Sequence, residues 1–323
     1  MPCIPRTLPL VSRGGAYAPA MRWTAIVNPV AGRGRTSRLR AGLDAALARR
    51  GVPVEVPDDV DGTCRAARLV FGRGDGVVVC GGDGTVAAVA GVAAECEGTF
   101  AVVPTGAGND FARHLGIGAR RPLDAVGLLG AGRVAPCDLG RVTCRDGGSG
   151  WFTTVANTGF DSEANRWANG VRWATGTPLY LLAVLRTLVT YRPRELRVVV
   201  DGVEWDGPAW LAAVGNTRFY AGGMMIAPGA EVDDGLLDVC VISAVARAEF
   251  VARFPRVFRG THTQVAGVVT RRGAVVELDA PGGAAPLEVW AAGERIGALP
   301  ARVEVVPGAV RVLVPDGAPV TGR

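Results

Sequence analysis

The chain has 323 residues, enough for two domains that each have a core of their own. All 35 basic residues are arginines, and 30 acidic residues leave a net charge of +5. Without lysine the chain cannot form a Walker-type phosphate loop or a lysine Schiff base. The basic excess is small, so no nucleic-acid partner is expected.

The cysteines and histidines exclude further kinds of site. Seven cysteines are dispersed without a C-x-x-C pair, which favours a reducing cytoplasmic location over a disulfide framework or a zinc site. The two histidines, His114 and His262, offer little to a histidine metal cluster or a Ser-His-Asp triad. The longest apolar stretch begins at Leu179, contains Arg186 and is too short for a transmembrane segment.

Residues 1–20 contain proline and glycine without hydrophobic periodicity. They lack the long apolar segment of a signal peptide. We expect a disordered extension, or an upstream start codon with Met21 as the true start.

Residues 21–139 alternate short apolar runs with helical patterns. The runs "TAIV", "GVVVC" and "FAVVP" are typical of strands buried on both faces of a parallel sheet. Leu39, Leu43 and Leu47 lie on one face of a predicted helix that ends near Gly51. This alternation predicts a doubly wound α/β domain.

The second half of the chain has a different pattern. Alternating segments such as "LRVVVDGVEWDG", with its Asp201-Gly202 turn, predict antiparallel hairpins over residues 140–290. Helices are predicted over 177–191 and 246–258, the second from the helical spacing of Val251, Phe254 and Phe258. The domain boundary is expected within "APCDLGRV", residues 135–142.

Three glycine-rich segments follow apolar strands of the first half: "NPVAGRGR", "GGDGT" and "PTGAGNDFAR". Strand ends of this kind meet at one edge of a parallel sheet, where ligands bind. Glycines expose backbone N–H groups, and helix N-termini favour anions. Arg33, Arg35 and Arg113 add positive charge. One such loop is commonly a mere connection, but three together predict a site for nucleotide phosphates.

Asp83 is the single carboxylate of "GGDGT". Three roles are consistent with a carboxylate among phosphate-binding N–H groups. It can hold Mg²⁺, accept a substrate proton, or orient the loop through hydrogen bonds.

These segments, with "NTGFD", "AGGMMIAPGAEVDDGLLDV" and "AAGERIG", occur in the order found in the diacylglycerol kinase catalytic family, which the chain resembles from Met21 onward. That family includes bacterial soluble lipid kinases and sphingosine kinases and is related to NAD kinases. "GGDGT" is shared with NAD kinases, whereas the combination is specific to the lipid-kinase branch. The resemblance implies an NAD-kinase-like α/β N-domain (21–139) that binds ATP and an antiparallel β-sandwich C-domain (140–290). It also implies a lipid cleft between them and a C-terminal segment (291–323) that returns to the N-domain.

The resemblance also implies site residues. The implied nucleotide-binding residues are Asn28, Pro29, Gly32, Gly81, Gly82, Asp83, Gly84, Thr85, Val86, Ala87, Thr105, Gly106, Ala107, Asn109, Asp110 and Arg113. A structural metal would be held by Glu231, Asp234 and the carbonyl of Leu236, although a solvated turn is the alternative. Asp161 would face the cleft, or it is an ordinary turn carboxylate.

Two positions depart from the family pattern. Ala107 replaces a threonine, which removes one hydroxyl contact to the nucleotide. Ala292-Gly293-Glu294 replaces Asp-Gly-Glu, the segment that supplies the family's proton acceptor. Glu294 is therefore the leading candidate base, and Asp83 is the second.

The resulting hypothesis is an ATP- and Mg²⁺-dependent lipid kinase. It would phosphorylate the hydroxyl of diacylglycerol or a related lipid to give a phosphatidate-type product. An NAD kinase-like enzyme and a catalytically weak nucleotide- or lipid-binding protein are the alternatives. Transient contact with the membrane surface is expected, with the segment "LYLLAVLRTLVTYRPR" as its candidate or, equally, as a core helix. The lipid and the oligomeric state stay open, with a homodimer as one candidate.

Overall fold

The structure is a computed structural model that describes residues 21–118, 121–170, 186–282 and 286–320. The predicted extension over residues 1–20 and most of the predicted helix over 177–191 lie outside the described residues. The chain divides into two compact units. One runs to Cys137 and resumes at Gly308, and the other covers Asp138–Pro307.

The first unit contains a parallel sheet. Its strands are β1 (Trp23–Val27), β2 (Val54–Glu55), β3 (Gly76–Gly81), β4 (Thr99–Pro104) and the last residues of β15 (Ala301–Val314). Their order is β2-β1-β3-β4-β15, and every pairing is parallel. All residues of β1, β3 and β4 are buried, as expected for strands covered on both faces.

The α-helices of this unit are α1 (Ala31–Ala48), α2 (Val60–Gly72), α3 (Asp83–Cys96), α4 (Asp110–His114) and α5 (Leu128–Ala131), with a 3-10 helix over Pro122–Gly127. Helix α1 begins earlier than its leucine spacing indicates. It includes Gly32 and Gly34, whose φ angles of +59° and +75° make the first turn irregular. The alternation of strands and helices confirms the predicted α/β class.

The last strand of the chain, β15, completes the parallel sheet of the first unit. Arg311–Leu313 pair with Thr99–Ala101 of β4, and the Arg311 Nε donates to Thr99 Oγ1 at 3.2 Å. The returning segment was predicted to start at residue 291, but the division falls at Gly308. Residues 291–307 lie in the second unit because antiparallel hydrogen bonds tie them to its strands.

The second unit is built from antiparallel strands. They are β5 (Arg133–Cys144), β6 (Ser149–Phe152), β7 (Val155–Gly159), β8 (Arg194–Val200), β9 (Val203–Gly215), β10 (Leu237–Ser243), β11 (Val268–Gly273), β12 (Val275–Asp279), β13 (Glu288–Ala291), β14 (Glu294–Ala298) and the first part of β15. The order β14-β13-β7-β9-β8-β12-β15 runs through this unit, and β10 pairs with β9 and β11. The predicted turn at Asp201-Gly202 joins β8 to β9, with φ angles of +46° and +83°.

Aromatic side chains form one of the cores of the second unit. Trp210 and Phe250 stack with ring centroids 4.5 Å apart, and Phe160 lies 5.4 Å from Phe250. The described helical segments here are α6 (Phe160–Gly170), residues 186–190, α7 (Arg247–Arg253) and the 3-10 helices over Phe254–Arg259 and Thr261–Gln264.

The predicted helix over residues 246–258 is therefore α-helical only as far as Arg253. Phe250 and Val257 are buried, whereas Val251 and Phe258 are exposed. The tighter turn of the 3-10 segment shifts the inward face away from the predicted spacing. Among the described helices, none has the length and apolar composition needed to cross a membrane.

Candidate functional site

The three glycine-rich segments converge at the carboxyl ends of β1, β3 and β4. The N–H groups of Thr105 and Gly106 both donate to the carbonyl of Gly81, at 3.0 and 3.1 Å. The N–H of Asn28 donates to the carbonyl of Cys80 at 3.0 Å. Adjacent parallel strands thus bring segments from far apart in the chain into one site.

Glycine is required here because the loops touch each other. A Cβ atom on Gly106 would lie 2.3 Å from the Cα of Gly82. A Cβ atom on Gly32 would lie 2.2 Å from the carbonyl oxygen of Thr105. Any larger residue would push the loops apart. Loop-to-loop packing, in addition to ligand approach, therefore explains these glycines.

Threonine and asparagine side chains fasten the loops together. The Asn28 Nδ2 donates to Thr85 Oγ1 at 2.9 Å, and the hydroxyl of Thr36 donates to Thr105 Oγ1 at 2.7 Å. Thr36 and Thr105 are fully buried. The predicted site residues Asn28, Thr85 and Thr105 thus also hold the loops together. Thr36 was missed because nothing in its local sequence marks it.

Helix α3 presents its N-terminus at this site. Gly82 is the N-cap, and the first helical hydrogen bond runs from Val86 N–H to Gly82 O at 3.0 Å. The N–H groups of Gly84 and Thr85 precede that bond, and Gly84 is exposed, which suits an anion. Val86 and Ala87, also predicted to bind nucleotide, have buried side chains that pack in the core.

Asp83 caps a neighbouring helix. Its Oδ1 accepts hydrogen bonds from the N–H groups of Asp110 and Phe111, at 2.8 and 3.3 Å. Burial raises the pKa of the Asp83 carboxyl, and these backbone hydrogen bonds oppose the rise. Of the three roles considered for Asp83, these contacts match the orientation of the loop.

The loop after β4 contributes further polar groups. Asn109 has φ +55°, and its Nδ2 donates to Gly106 O at 2.8 Å. Its buried Oδ1 has no hydrogen-bond partner among the described residues, which leaves an acceptor for a ligand donor. Ala107 is exposed, at the position where the family has threonine.

Three arginines were predicted to add charge. The Arg113 guanidinium pairs with the Asp110 carboxylate at 3.6 Å, and Arg35 Nη1 donates to Gly106 O at 3.5 Å. The side chain of Arg33 lies outside what the structure describes. Pro29 lies in the turn before α1, and its carbonyl accepts from Ser37 Oγ at 2.8 Å.

In the second unit, Glu294 follows a two-residue turn. Ala291 pairs with Glu294 across the β13–β14 hairpin, and the turn residues Ala292 and Gly293 have φ angles of +50° and +85°. Such a turn favours Asn-Gly or Asp-Gly, and a left-handed alanine costs about 1–2 kcal/mol. Glu294 is exposed at the start of β14.

The structure describes the surroundings of the predicted metal ligands, Glu231, Asp234 and the carbonyl of Leu236. Asp234 Oδ1 accepts from Leu236 N–H at 3.0 Å, and its Oδ2 pairs with the Arg272 guanidinium. Glu231 is exposed. The described residues contain no cluster of three or more acidic, histidine or cysteine ligands. Arg272 therefore supplies positive charge to Asp234, and a metal ion held by Glu231, Asp234 and Leu236 stays a prediction.

Asp138 fastens the same turn. Its Oδ2 accepts from Gly235 N–H at 2.7 Å, and its own N–H donates to Val232 O at 2.7 Å. Asp138 is buried. It was missed because its partners lie almost one hundred residues later, although "CDLG" places a carboxylate in an otherwise apolar strand.

Asp161 is a buried carboxylate of a helix rather than an ordinary turn carboxylate. It lies in the first turn of α6, and the Tyr220 hydroxyl donates to its Oδ2 at 2.6 Å. Burial raises the pKa of Asp161 to about 6, opposed by the Tyr220 hydrogen bond.

Comparison with known proteins places this geometry in a family. Residues 22–142 match the model of the diacylglycerol kinase catalytic domain, and residues 154–314 match the YegS C-terminal NAD kinase beta sandwich-like domain. The diacylglycerol kinase of Mycobacterium tuberculosis (strain ATCC 25618 / H37Rv) is 37% identical over 298 residues, which cover 90% of this chain and 94% of that protein. A Stenotrophomonas maltophilia (strain K279a) protein named "Probable lipid kinase YegS-like" is 31% identical over 285 residues, covering 84% and 90% of the two chains.

A solved structure shows the same fold. The diacylglycerol kinase structure from Bacillus anthracis str. Sterne has a TM-score of 0.70 and 20% identity, and the match covers 92% of this chain and 98% of that one. The chain belongs to the diacylglycerol kinase family of lipid kinases. The expected NAD-kinase-like α/β domain and β-sandwich domain are confirmed.

Proposed function

We propose that this protein is an ATP-dependent lipid kinase that phosphorylates the hydroxyl of diacylglycerol or a related lipid. The product is a phosphatidate-type lipid. The observation that carries the proposal is the convergence of three glycine loops beside the exposed N-terminus of α3, in a chain of the diacylglycerol kinase family.

The glycine loops are suited to bind the phosphates of ATP. The N–H groups of Gly84 and Thr85 belong to the first turn of α3, before its first helical hydrogen bond, and no side chain on the exposed Gly84 blocks a phosphate. Phosphoryl transfer has a loose transition state, so positioning and charge neutralisation supply most of the rate enhancement. Mg²⁺, when bound, would supply part of that neutralisation, and the partly buried Asp83 is the carboxylate of "GGDGT" that would hold it.

Asp83 also sets the position of the neighbouring loop. By accepting two N–H groups of α4, it keeps Asn109 in its left-handed conformation beside Gly106. The loop then presents the unpartnered Asn109 Oδ1 as an acceptor for a nucleotide N–H or O–H donor.

Glu294 is the proposed proton acceptor from the lipid hydroxyl. It is exposed at the start of β14, directly after the turn residues Ala292 and Gly293. Replacing Glu294 by glutamine should lower kcat about 10²-fold, the usual effect of losing a positioned acid–base group. A Glu294→Gln enzyme as fast as the wild type would remove Glu294 from this role.

The decisive experiment incubates the purified protein with ATP, Mg²⁺ and a mixed lipid extract and identifies any phosphorylated species by mass spectrometry. A matched reaction supplies NAD in place of the lipid. A phosphorylated diacylglycerol-type lipid is the expected product. Phosphorylation of NAD instead would identify an NAD kinase-like enzyme. ATP binding without a phosphorylated product would identify a binding protein, the alternative suggested by Ala107 and Ala292.

A further inference from the structure

Helix α7 and the 3-10 turn after it expose apolar side chains. In this segment, called the 247–259 surface, Val251 is 46% exposed and Phe258 is 53% exposed. Within the described parts of the chain, Phe258 is the one aromatic residue in the exposed class. Both side chains belong to one short segment of the second unit, and each exposes apolar surface.

The same surface is basic. Four arginines and one glutamate lie between residues 247 and 259. Arg253 pairs with Glu249, and Arg247 Nη2 donates to Tyr191 O at 3.1 Å. The other two arginines, Arg256 and Arg259, are exposed and have no ion-pair partner in the described ranges. The 247–259 surface therefore carries uncompensated positive charge.

Buried neighbours hold these exposed groups in place. Phe250 stacks on Trp210 with ring centroids 4.5 Å apart, and Val257 is 5% exposed. Phe254 links the core to the surface, with its ring 6.4 Å from Phe250 and 6.1 Å from Phe258. The side chains of Val251 and Phe258 thus project from a packed base.

We propose that the 247–259 surface docks on an anionic lipid bilayer. Aromatic side chains partition into the headgroup region, and arginines attract anionic lipids within a Debye length. The 247–259 surface combines uncompensated arginines with exposed apolar groups. This combination favours a membrane contact over an ordinary solvent-exposed surface, which would need no exposed aromatic side chain. The inference rests on the proposed function in one respect: a kinase that acts on membrane lipids must contact the bilayer that holds them.

The location differs from the segment expected from sequence. The earlier candidate began at Leu179, and its residues through 185 lie outside the described residues. The described end of that segment lies beside α7, because Arg247 donates to the carbonyl of Tyr191.

The test measures flotation of the purified full chain with phosphatidylcholine vesicles, with and without phosphatidylglycerol, at low and high salt. ATP and lipid substrate are absent. The wild type should bind only the anionic vesicles, and salt should weaken binding. The Arg256→Gln/Arg259→Gln variant should bind at least tenfold more weakly, because each arginine near the surface contributes about fivefold. Phe258→Ala should bind several-fold more weakly.

Matched controls replace exposed residues elsewhere in the second unit, Val203→Ala and Arg271→Gln, and should bind as the wild type does. All variants are checked by melting temperature, and the single Arg256→Gln variant serves if the double variant fails to fold. Equal binding by test and control variants would overturn the proposal. A change in oligomeric state without a change in vesicle binding would overturn it too and identify a second copy as the occupant.

Activity measurements distinguish a failure of this inference from a failure of the proposed function. With a short-chain, water-soluble diacylglycerol, the surface variants should turn over as fast as the wild type, whereas turnover of the vesicle-bound lipid should fall with binding. Absent turnover of both substrates by the wild type would refute the proposed function. The vesicle-binding comparison would still decide the docking surface.

Discussion

The Arg272 guanidinium joins two carboxylates, one in the turn before β10 and one in β10 itself: it pairs with Asp234 and lies 3.1 Å from Asp238 through its Nε. The side chains of Asp234 and Asp238 are only 11% and 14% exposed. Burial raises the pKa of Asp238, and the neighbouring Arg272 opposes that rise. This arginine supplies positive charge at the turn where the family resemblance implies a metal ion.

Removing Arg272 should therefore destabilise the protein, and a chelator tests separately whether a metal ion stabilises the same turn. Arg272→Ala leaves two carboxylates close together and partly desolvated. Because the guanidinium is itself 45% exposed, we expect a loss of only about 1–2 kcal/mol, intermediate between surface and buried pairs. Thermal unfolding with and without chelator measures both effects.

Arg302→Ala is the matched control. Arg302 also lies between two carboxylates, those of Glu277 and Glu304, but their side chains are 61% and 38% exposed. Its removal should change the melting temperature little. A chelator that lowers the melting temperature of the wild type would support the predicted metal site, and an unchanged melting temperature would argue against it.

Two substitutions of Asp83 can separate the effect of its hydrogen bonds from the effect of its negative charge. Asp83→Asn retains an oxygen that can accept the N–H groups of Asp110 and Phe111, whereas Asp83→Ala removes the cap. The alanine variant should lose about 1 kcal/mol of unfolding free energy, and the asparagine variant less. Turnover should vanish in the alanine variant.

Turnover of Asp83→Asn then assigns the role of the carboxylate. Activity near that of the wild type would indicate that Asp83 acts by orienting the loop. Activity as low as that of Asp83→Ala, with a normal melting curve, would indicate that the negative charge itself is needed for Mg²⁺ or for the proton. A fully active alanine variant would exclude Asp83 from the mechanism.

Ala292 tests whether a lost carboxylate has been replaced. Ala292→Gly and Ala292→Asp should both raise stability by about 1 kcal/mol, since both residues tolerate the left-handed turn better than alanine. If Glu294 serves as the base, neither variant should change kcat much. A large gain in kcat from Ala292→Asp but not from Ala292→Gly would show that the natural site lacks its proton acceptor.

The contact between Gly82 and Gly106 predicts a steric effect. Gly106→Ala would place a methyl group 2.3 Å from the Cα of Gly82, so the loops must separate. We expect a loss of about 1–3 kcal/mol and weaker ATP binding, measured by thermal unfolding and calorimetry. Gly72→Ala, with nothing within 4 Å, is the control and should be neutral or stabilising. Unchanged ATP affinity in Gly106→Ala would argue against nucleotide binding at these loops.

Asp161 should make stability depend on pH. Its pKa is about 6 in the folded protein, against about 4 in the unfolded chain. A raised folded pKa stabilises the protein fully below about pH 4, and this contribution is lost as the pH rises through about 6. Asp161→Asn stays neutral at every pH. From below about pH 4 to neutral pH, its unfolding free energy should therefore rise by about 2–3 kcal/mol relative to that of the wild type. Parallel stability curves for wild type and Asp161→Asn would contradict the buried, raised-pKa state; Asp58→Asn, at an exposed site, is the control.

Much of the first unit could be predicted from the sequence. The apolar runs before the glycine segments and the spacing of Leu43 and Leu47 are local patterns, and local patterns determine strands and helices. That the three glycine segments would meet also followed, because parallel strands place their carboxyl ends at one edge. The left-handed turn at Asp201-Gly202 could be predicted from these two residues alone.

The roles of individual side chains depended on contacts that span the chain. Asp83 meets the N–H groups of a helix 27 residues later, and Arg272 meets a carboxylate 38 residues earlier. The sequence by itself determined which residue types stand at the strand ends and turns. Only the tertiary structure decided which groups neutralise one another, because hydrogen bonds and ion pairs depend on distances between segments that no local pattern encodes.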